Sequence, residues 1–145
     1  MASPVEAPPP RGRRVRSDRC VVTDLTDGWS VAPGSPDCDS VPETGWLPAR
    51  TPASVADVLR EAGVERADLD EQDWWWRRTV DVAPPAPDEE LVLQLDGVTP
   101  YADVMVDGRT VASVRSMFLP VSIAIPGSVE LVIRCRALAP MLARP

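Results

Sequence analysis

The chain has 145 residues, enough for one ordinary domain and too few to add a (β/α)8 barrel, which takes about 250. It carries a net charge of -7, has no histidine, and uses arginine as its sole basic residue. That excludes nucleophilic triads built on imidazole and argues against a nucleic-acid partner, because phosphate binding draws its affinity from clustered positive charge. Hydrophobic residues at 44% and charged residues at 26% are ordinary values for a chain with a packed core.

Residues 1–18 form a Pro- and Arg-rich leader. It holds Arg11, Arg13, Arg14 and Arg16 among almost no apolar side chains, and is expected to be disordered. No apolar stretch of about 7–15 residues follows these arginines as a signal peptide requires, and no apolar run reaches the roughly 18 residues of a membrane helix. The expected compartment is therefore the cytoplasm, with no membrane partner. Residues 20–25 and 28–31 predict one or two strands. Residues 33–45, rich in Pro, Gly, Ser and Asp, predict a loop, and 46–50 an extended segment. A short helix is predicted over 54–62. Ser54 suits the N-cap, Val55, Val58 and Leu59 share a face, and Gly63 suits the left-handed stop.

The remainder reads as strands. In 74–82 the side chains of Trp74, Trp76, Arg78, Val80 and Val82 share one face, and Trp75, Arg77, Thr79 and Asp81 the other. Pro84, Pro85 and Pro87 end this run. Residues 91–95 form an apolar strand, and 103–106 with 109–114 flank Asp107-Gly108, a two-residue hairpin turn. Residues 118–125 and 129–136 are expected to pair across Pro126-Gly127. Short strands with turn signals every 8–12 residues or so predict an all-β fold, a jelly-roll sandwich with one short helix.

Chemistry-bearing clusters are few. Three consecutive tryptophans in Asp73-Trp74-Trp75-Trp76-Arg77-Arg78 must place an indole on each face of a strand. One face is core. On the other, Trp75 and Arg77 offer an aromatic surface and hydrogen-bond donors suited to a sugar ring, although the same residues also suit packing against core or a neighbouring domain. Asp68, Asp70, Glu71, Asp73, Asp88, Glu89 and Glu90 read as solvated turn and loop carboxylates, with no pair supported as glycosidase acid and base. Cys20, Cys38 and Cys135 lack metal-ligand spacing. They read as small apolar residues and one loop thiol, a Cys20–Cys135 bridge remaining open. Neither a metal nor a cofactor is expected.

Several segments occur in a telling order. They are Gly45-Trp46, Thr51-Pro52-Ala53-Ser54-Val55, Asp57-Val58-Leu59, Ala62-Gly63, Asp73-Trp74-Trp75-Trp76-Arg77-Arg78, Leu95-Asp96-Gly97-Val98, Ala102-Asp103-Val104-Met105-Val106-Asp107-Gly108 and Met117-Phe118. Together, over residues 29–136, they resemble the N-terminal domain of β-mannosidase-like enzymes of glycoside hydrolase family 2. The resemblance implies a galactose-binding-like jelly roll over 19–138, with 139–145 as a linker or tail. In the full enzyme this domain lies beside a catalytic barrel that performs retaining hydrolysis of terminal β-D-mannosides with two glutamates. Both glutamates belong to the barrel, so no catalytic residue carries over to this chain.

Two departures from the family pattern stand out. Thr51-Pro52-Ala53 replaces Val-Pro-Gly, and Ser116 replaces the asparagine before Met-Phe, a position near the sugar in related enzymes. The candidate substrate-binding residues are thus Trp75, Arg77 and Ser116, with a mannoside-like carbohydrate and the absent barrel as expected partners. The expected function is that of a truncated or split front domain, inactive alone. A free-standing carbohydrate-binding module, or a docking partner of a separately encoded catalytic chain, is the alternative.

Overall fold

The structure, a computed structural model, describes residues 15–16, 21–66, 68–98 and 101–139. Its elements run β1 (Val15–Arg16), β2 (Val21–Val22), β3 (Trp29–Gly34), β4 (Leu47–Ala49), α1 (Val55–Glu61), β5 (Asp73–Val80), β6 (Leu91–Leu95), β7 (Ala102–Val106), β8 (Arg109–Val114), β9 (Val121–Ile125) and β10 (Val129–Cys135). Strands β4-β3-β5-β10-β7-β8 make a six-stranded antiparallel sheet, and β6 pairs with β9 in a second, two-stranded one. The fold is the expected mainly-β architecture with one short helix. β1 pairs with β2, so Val15 and Arg16, expected within a disordered leader, take part in a short ladder.

The core lies on one face of the large sheet, beneath the β6–β9 pair. Trp29, Val31, Trp74, Trp76, Val80, Val104, Leu131 and Ile133 point into it from the sheet, and Leu93, Leu95 and Ile125 from the opposite layer. Burying a side chain such as Leu131 or Val104 stabilises by roughly 1.5–3 kcal/mol. Trp29 and Trp76 meet edge to face with centroids 6.5 Å apart. Helix α1 caps one end of this core with Val58 and Leu59. At its start Ser54 accepts from the Asp57 N–H, and the Asp57 carboxylate accepts from the Ser54 N–H, forming a capping box. The β7–β8 turn has Asp107 at φ 49° and Gly108 at φ 81°, the positive values that a tight hairpin of this kind demands.

One predicted pairing is corrected. Residues 118–125 and 129–136 do not form a hairpin: β9 joins β6, while β10 inserts between β5 and β7. The burial pattern explains the exchange. In β10 the residues from Leu131 to Arg134 are all buried, on both faces, as a central strand requires. Strand β9 has one apolar face, and its Val121, Ile123 and Ile125 sit opposite Leu95, Leu93 and Leu91 of β6. The chain crosses between sheets at 126–128. There the Ser128 hydroxyl accepts from the Val82 N–H at 3.0 Å and lies 3.1 Å from Asp81. The strand predicted from residue 118 begins at Val121, since Phe118 and Leu119 lie exposed in a turn.

Candidate functional site

The face of the large sheet turned away from the core carries most of the polar side chains that could do chemistry. Register sets them in rows. Trp75 of β5 lies opposite Arg134 of β10, and Arg134 opposite Asp103 of β7, which in turn faces Ser113 of β8. One residue pair further toward the same end, the ladders lead to Asp73, Arg136, Tyr101 and Arg115. There the Arg136 N–H donates to the Tyr101 carbonyl at 2.8 Å. Opposite residues of antiparallel strands project from the same face, so the two rows form one polar plate.

Residues 35–46 cross one half of this plate as a strap, and Arg134 holds it. Its Nε donates to Asp73 Oδ2 at 2.6 Å, Nη1 to Asp39 Oδ1 at 2.8 Å and Nη2 to the Cys38 carbonyl at 2.9 Å. The guanidinium also lies 4.8 Å from the Trp75 ring centroid. Asp73 Oδ1 accepts from the Ala137 N–H at 2.7 Å. Burial opposes the Arg134 charge, but the hydrogen bonds to Asp39 and Asp73 outweigh it and raise its pKa above the ordinary guanidinium value. The hydrogen bond from Arg134 likewise holds Asp39 below the usual carboxylate value.

Asp73, read from the sequence as a solvated turn carboxylate, is only 1% exposed. It opens β5 instead of ending the turn, and the buried Arg134, opposite Trp75 two residues along, compensates its charge. Trp75 is 0% exposed under the strap, with no ring face open to a sugar, and its Nε1–H has no hydrogen-bond partner among the described residues. Gly34 makes this closeness feasible, since a Cβ there would sit 2.7 Å from Trp75 Nε1. Arg77 is half-buried, its guanidinium 3.8 Å from the Trp46 ring centroid. Ser116 lies in the turn after β8, where its hydroxyl accepts from the Phe118 N–H at 3.2 Å. Strands β10 and β7 and the edge strand β8 separate this turn from β5, so the fold does not bring Ser116 together with Trp75 and Arg77.

The other half of the plate is open. Tyr101, Asp103, Ser113, Arg115 and Arg136 line a cleft of about 220 Å3 there. Asp103 Oδ2 accepts from Arg136 Nη2 at 2.7 Å and Nε at 3.0 Å, and Oδ1 accepts from the Ser113 hydroxyl at 2.9 Å. Sequence reasoning passed over these residues. Their one signal was alternation, since polar side chains at 101, 103, 113 and 115 all fall on the face opposite the core-facing Ala102, Val104 and Val114.

The cysteines carry no shared site among the described residues. Cys38 is exposed on the strap, and Cys135 is free with its thiol pushed up to about 12 by burial and the nearby Asp73 charge. Cys20 lies outside the described residues, and with it the bridge to Cys135. Among the described residues no group of three or more His, Cys, Asp and Glu side chains could hold a metal ion, and no helix is long and apolar enough to cross a membrane.

Solved structures of similar fold include the β-D-mannosidase of Dictyoglomus thermophilum, with a TM-score of 0.65 and 17% identity over 81% of this chain. A Faecalibacterium prausnitzii β-glucuronidase gives 0.66 and 22% identity over 90%, and an uncultured Clostridium sp. β-glucuronidase 0.61 and 18% over 79%. At these identities the likeness is one of fold. The chain spans 16%, 22% and 23% of the three proteins, respectively. No curated protein matches it. The family described as glycosyl hydrolase 2 galactose-binding domain-like matches residues 29–136, most of the chain and all of the large sheet, and the chain belongs to that family.

Proposed function

We propose that the chain acts as the non-catalytic front domain of a β-mannosidase-like family 2 glycoside hydrolase in the cytoplasm, inactive alone, docking beside a catalytic barrel that hydrolyses terminal β-D-mannosides. The observation that carries the docking is the apolar turn Met117-Phe118-Leu119, which follows Ser116 and in which Phe118 is 86% exposed. Three consecutive exposed apolar side chains of this size on a small domain mark a contact surface. Support for the barrel as occupant is the family membership and the small share of the similar hydrolases that the chain spans. The mannoside rests on the ordered segments from Trp46 to Phe118 and on the likeness to a β-D-mannosidase.

Within this reading Ser116, beside the docking turn, contacts sugar at the domain boundary. Arg77 and Trp75 belong to the strap side, and Trp75 serves there by packing.

The test begins with the coding sequence beyond the codon for Pro145, read in all three frames for a barrel with two catalytic glutamates. The barrel, expressed separately and mixed with this chain, should co-elute with it on gel filtration and cleave 4-nitrophenyl β-D-mannopyranoside only when both are present. Phe118→Ser should weaken co-elution. Cleavage of the β-D-glucuronide instead would refute the mannoside, and a barrel fully active without this chain would refute the docking role.

A further inference from the structure

The open half of the polar plate is outside the residues singled out above and has its own chemistry. Tyr101 is 41% exposed, and no hydrogen bond to its hydroxyl is present among the described residues. Arg115, one ladder position across from it at the end of β8, likewise makes no ion pair or hydrogen bond among them. Arg136 is fixed by Asp103 through Nε and Nη2, which leaves donor capacity on Nη1, 4.0 Å from the buried Asp73. Asp103 is fixed in turn by Ser113. Among the described residues the cleft therefore has a hydrogen-bonded floor and two groups at its mouth without a partner.

Its charges are unequal. Among the lining residues Arg115 and Arg136 face one carboxylate, Asp103, and the Asp73 carboxylate behind Arg136 is already held by Arg134, so the lining carries an excess of positive charge on a chain whose net charge is -7. An aromatic ring beside it offers a flat apolar surface for the C–H face of a pyranose, and guanidinium forks match carboxylate geometry. A volume of about 220 Å3 is below that of drug-sized pockets, roughly 300–1,000 Å3, and suits one sugar residue better than an oligosaccharide.

We propose that Tyr101, Arg115 and Arg136 form a subsite for a single acidic sugar residue. Its ring lies on Tyr101, its carboxylate meets Arg115, and its hydroxyls meet Arg136 Nη1 and Asp103. The proposal rests on the reading of this chain as a sugar-processing domain only for the class of ligand. It requires no barrel, so its failure and that of the docking role are read in separate experiments.

The test is a 1H–15N correlation titration of the full chain with sodium D-glucuronate, D-glucose and inorganic phosphate in turn. Glucuronate should shift the amides of residues 101–103, 113–115 and 136 in a saturable manner, and glucose should bind at least tenfold more weakly. Arg115→Ala and Tyr101→Ala should each weaken glucuronate at least tenfold while keeping the dispersed spectrum of the folded chain. Arg60→Ala, on the distant helix, should leave it unchanged. Equal binding of glucose would overturn the carboxylate assignment, and phosphate acting as well as glucuronate would reduce the site to simple charge attraction. No saturable shift in this cleft would overturn the proposal outright.

Discussion

Replacing Arg134 by methionine isolates the contact on which the strap depends. The substitution keeps an apolar stem beside Trp75 and removes the charge. Asp73, 1% exposed in the native chain, is then left with the Ala137 N–H as its hydrogen-bond donor and Arg136, 4.0 Å away, as the nearest cation. Removing one partner of a buried ion pair costs about 3–5 kcal/mol, because the other charge stays buried without compensation. Against a total stability of about 5–15 kcal/mol this is a large fraction. With a urea m-value of about 2 kcal/mol/M, the midpoint should fall by roughly 2 M.

Tryptophan fluorescence in urea reads this directly, since Trp75 lies under the strap and Trp46 is part of it. Asp39→Ala should move the midpoint little, because that carboxylate lies in solvent. The double variant Arg134→Met with Asp73→Leu, which removes both buried charges together, should recover most of the loss. If Arg134→Met shifts the midpoint no further than Asp39→Ala does, the buried pair is not what secures the strap.

Gly34→Ala should destabilise by about 1–3 kcal/mol in the same assay, since the new methyl group would lie 2.7 Å from the fully buried Trp75 ring with Pro42 on its other side. Ser54→Ala should cost about 1 kcal/mol through loss of the capping box, and Ser54→Asp should restore most of it. Cys38 should react with iodoacetamide in the native chain at pH 8 and Cys135 only after unfolding, as peptide mapping would show. The raised Cys135 value also sets a pH dependence. The unfolded thiol ionises near 9.0 and the folded one near 12, so the unfolded state binds fewer protons between these values. The contribution of Cys135 to stability is thus complete below pH 9 and declines as pH rises toward 12, a decline that Cys135→Ala should remove.

Much of the fold was legible because its strands obey local rules. The alternation in 74–82 placed Trp74, Trp76 and Val80 in the core, Asp107-Gly108 gave the hairpin, and Ser54 with Gly63 bounded the helix. Strand partnership was less legible. Proximity in sequence favours a 118–125/129–136 hairpin, whereas burial on both faces of 131–134 selects a central position, and that burial arises from a strap more than 80 residues earlier in the chain. The outer face was misread for the same reason. Nothing near Asp73 or Trp75 in sequence announces the arginine 61 residues beyond Asp73, so a buried ion pair read as a solvated acid, and the Trp75 indole, read as suited to packing as well as to a sugar platform, could not be assigned to either. The cleft at Tyr101 exists only where the ends of three strands meet, a juxtaposition with no local signature.

The place of β10 has a consequence for synthesis. Made after every other described strand, it must enter the middle of the sheet, between β5 and β7. Until then β4-β3-β5 and β7-β8 are two separate ribbons, each with an unpaired edge of backbone donors and acceptors. Arg134, which pins the strap, arrives on this same strand, so the tryptophan-rich edge of β5 stays uncovered until β10 has been made. Pairings this distant in sequence form slowly, and a chain paused before residue 129 would present two sticky edges to its neighbours.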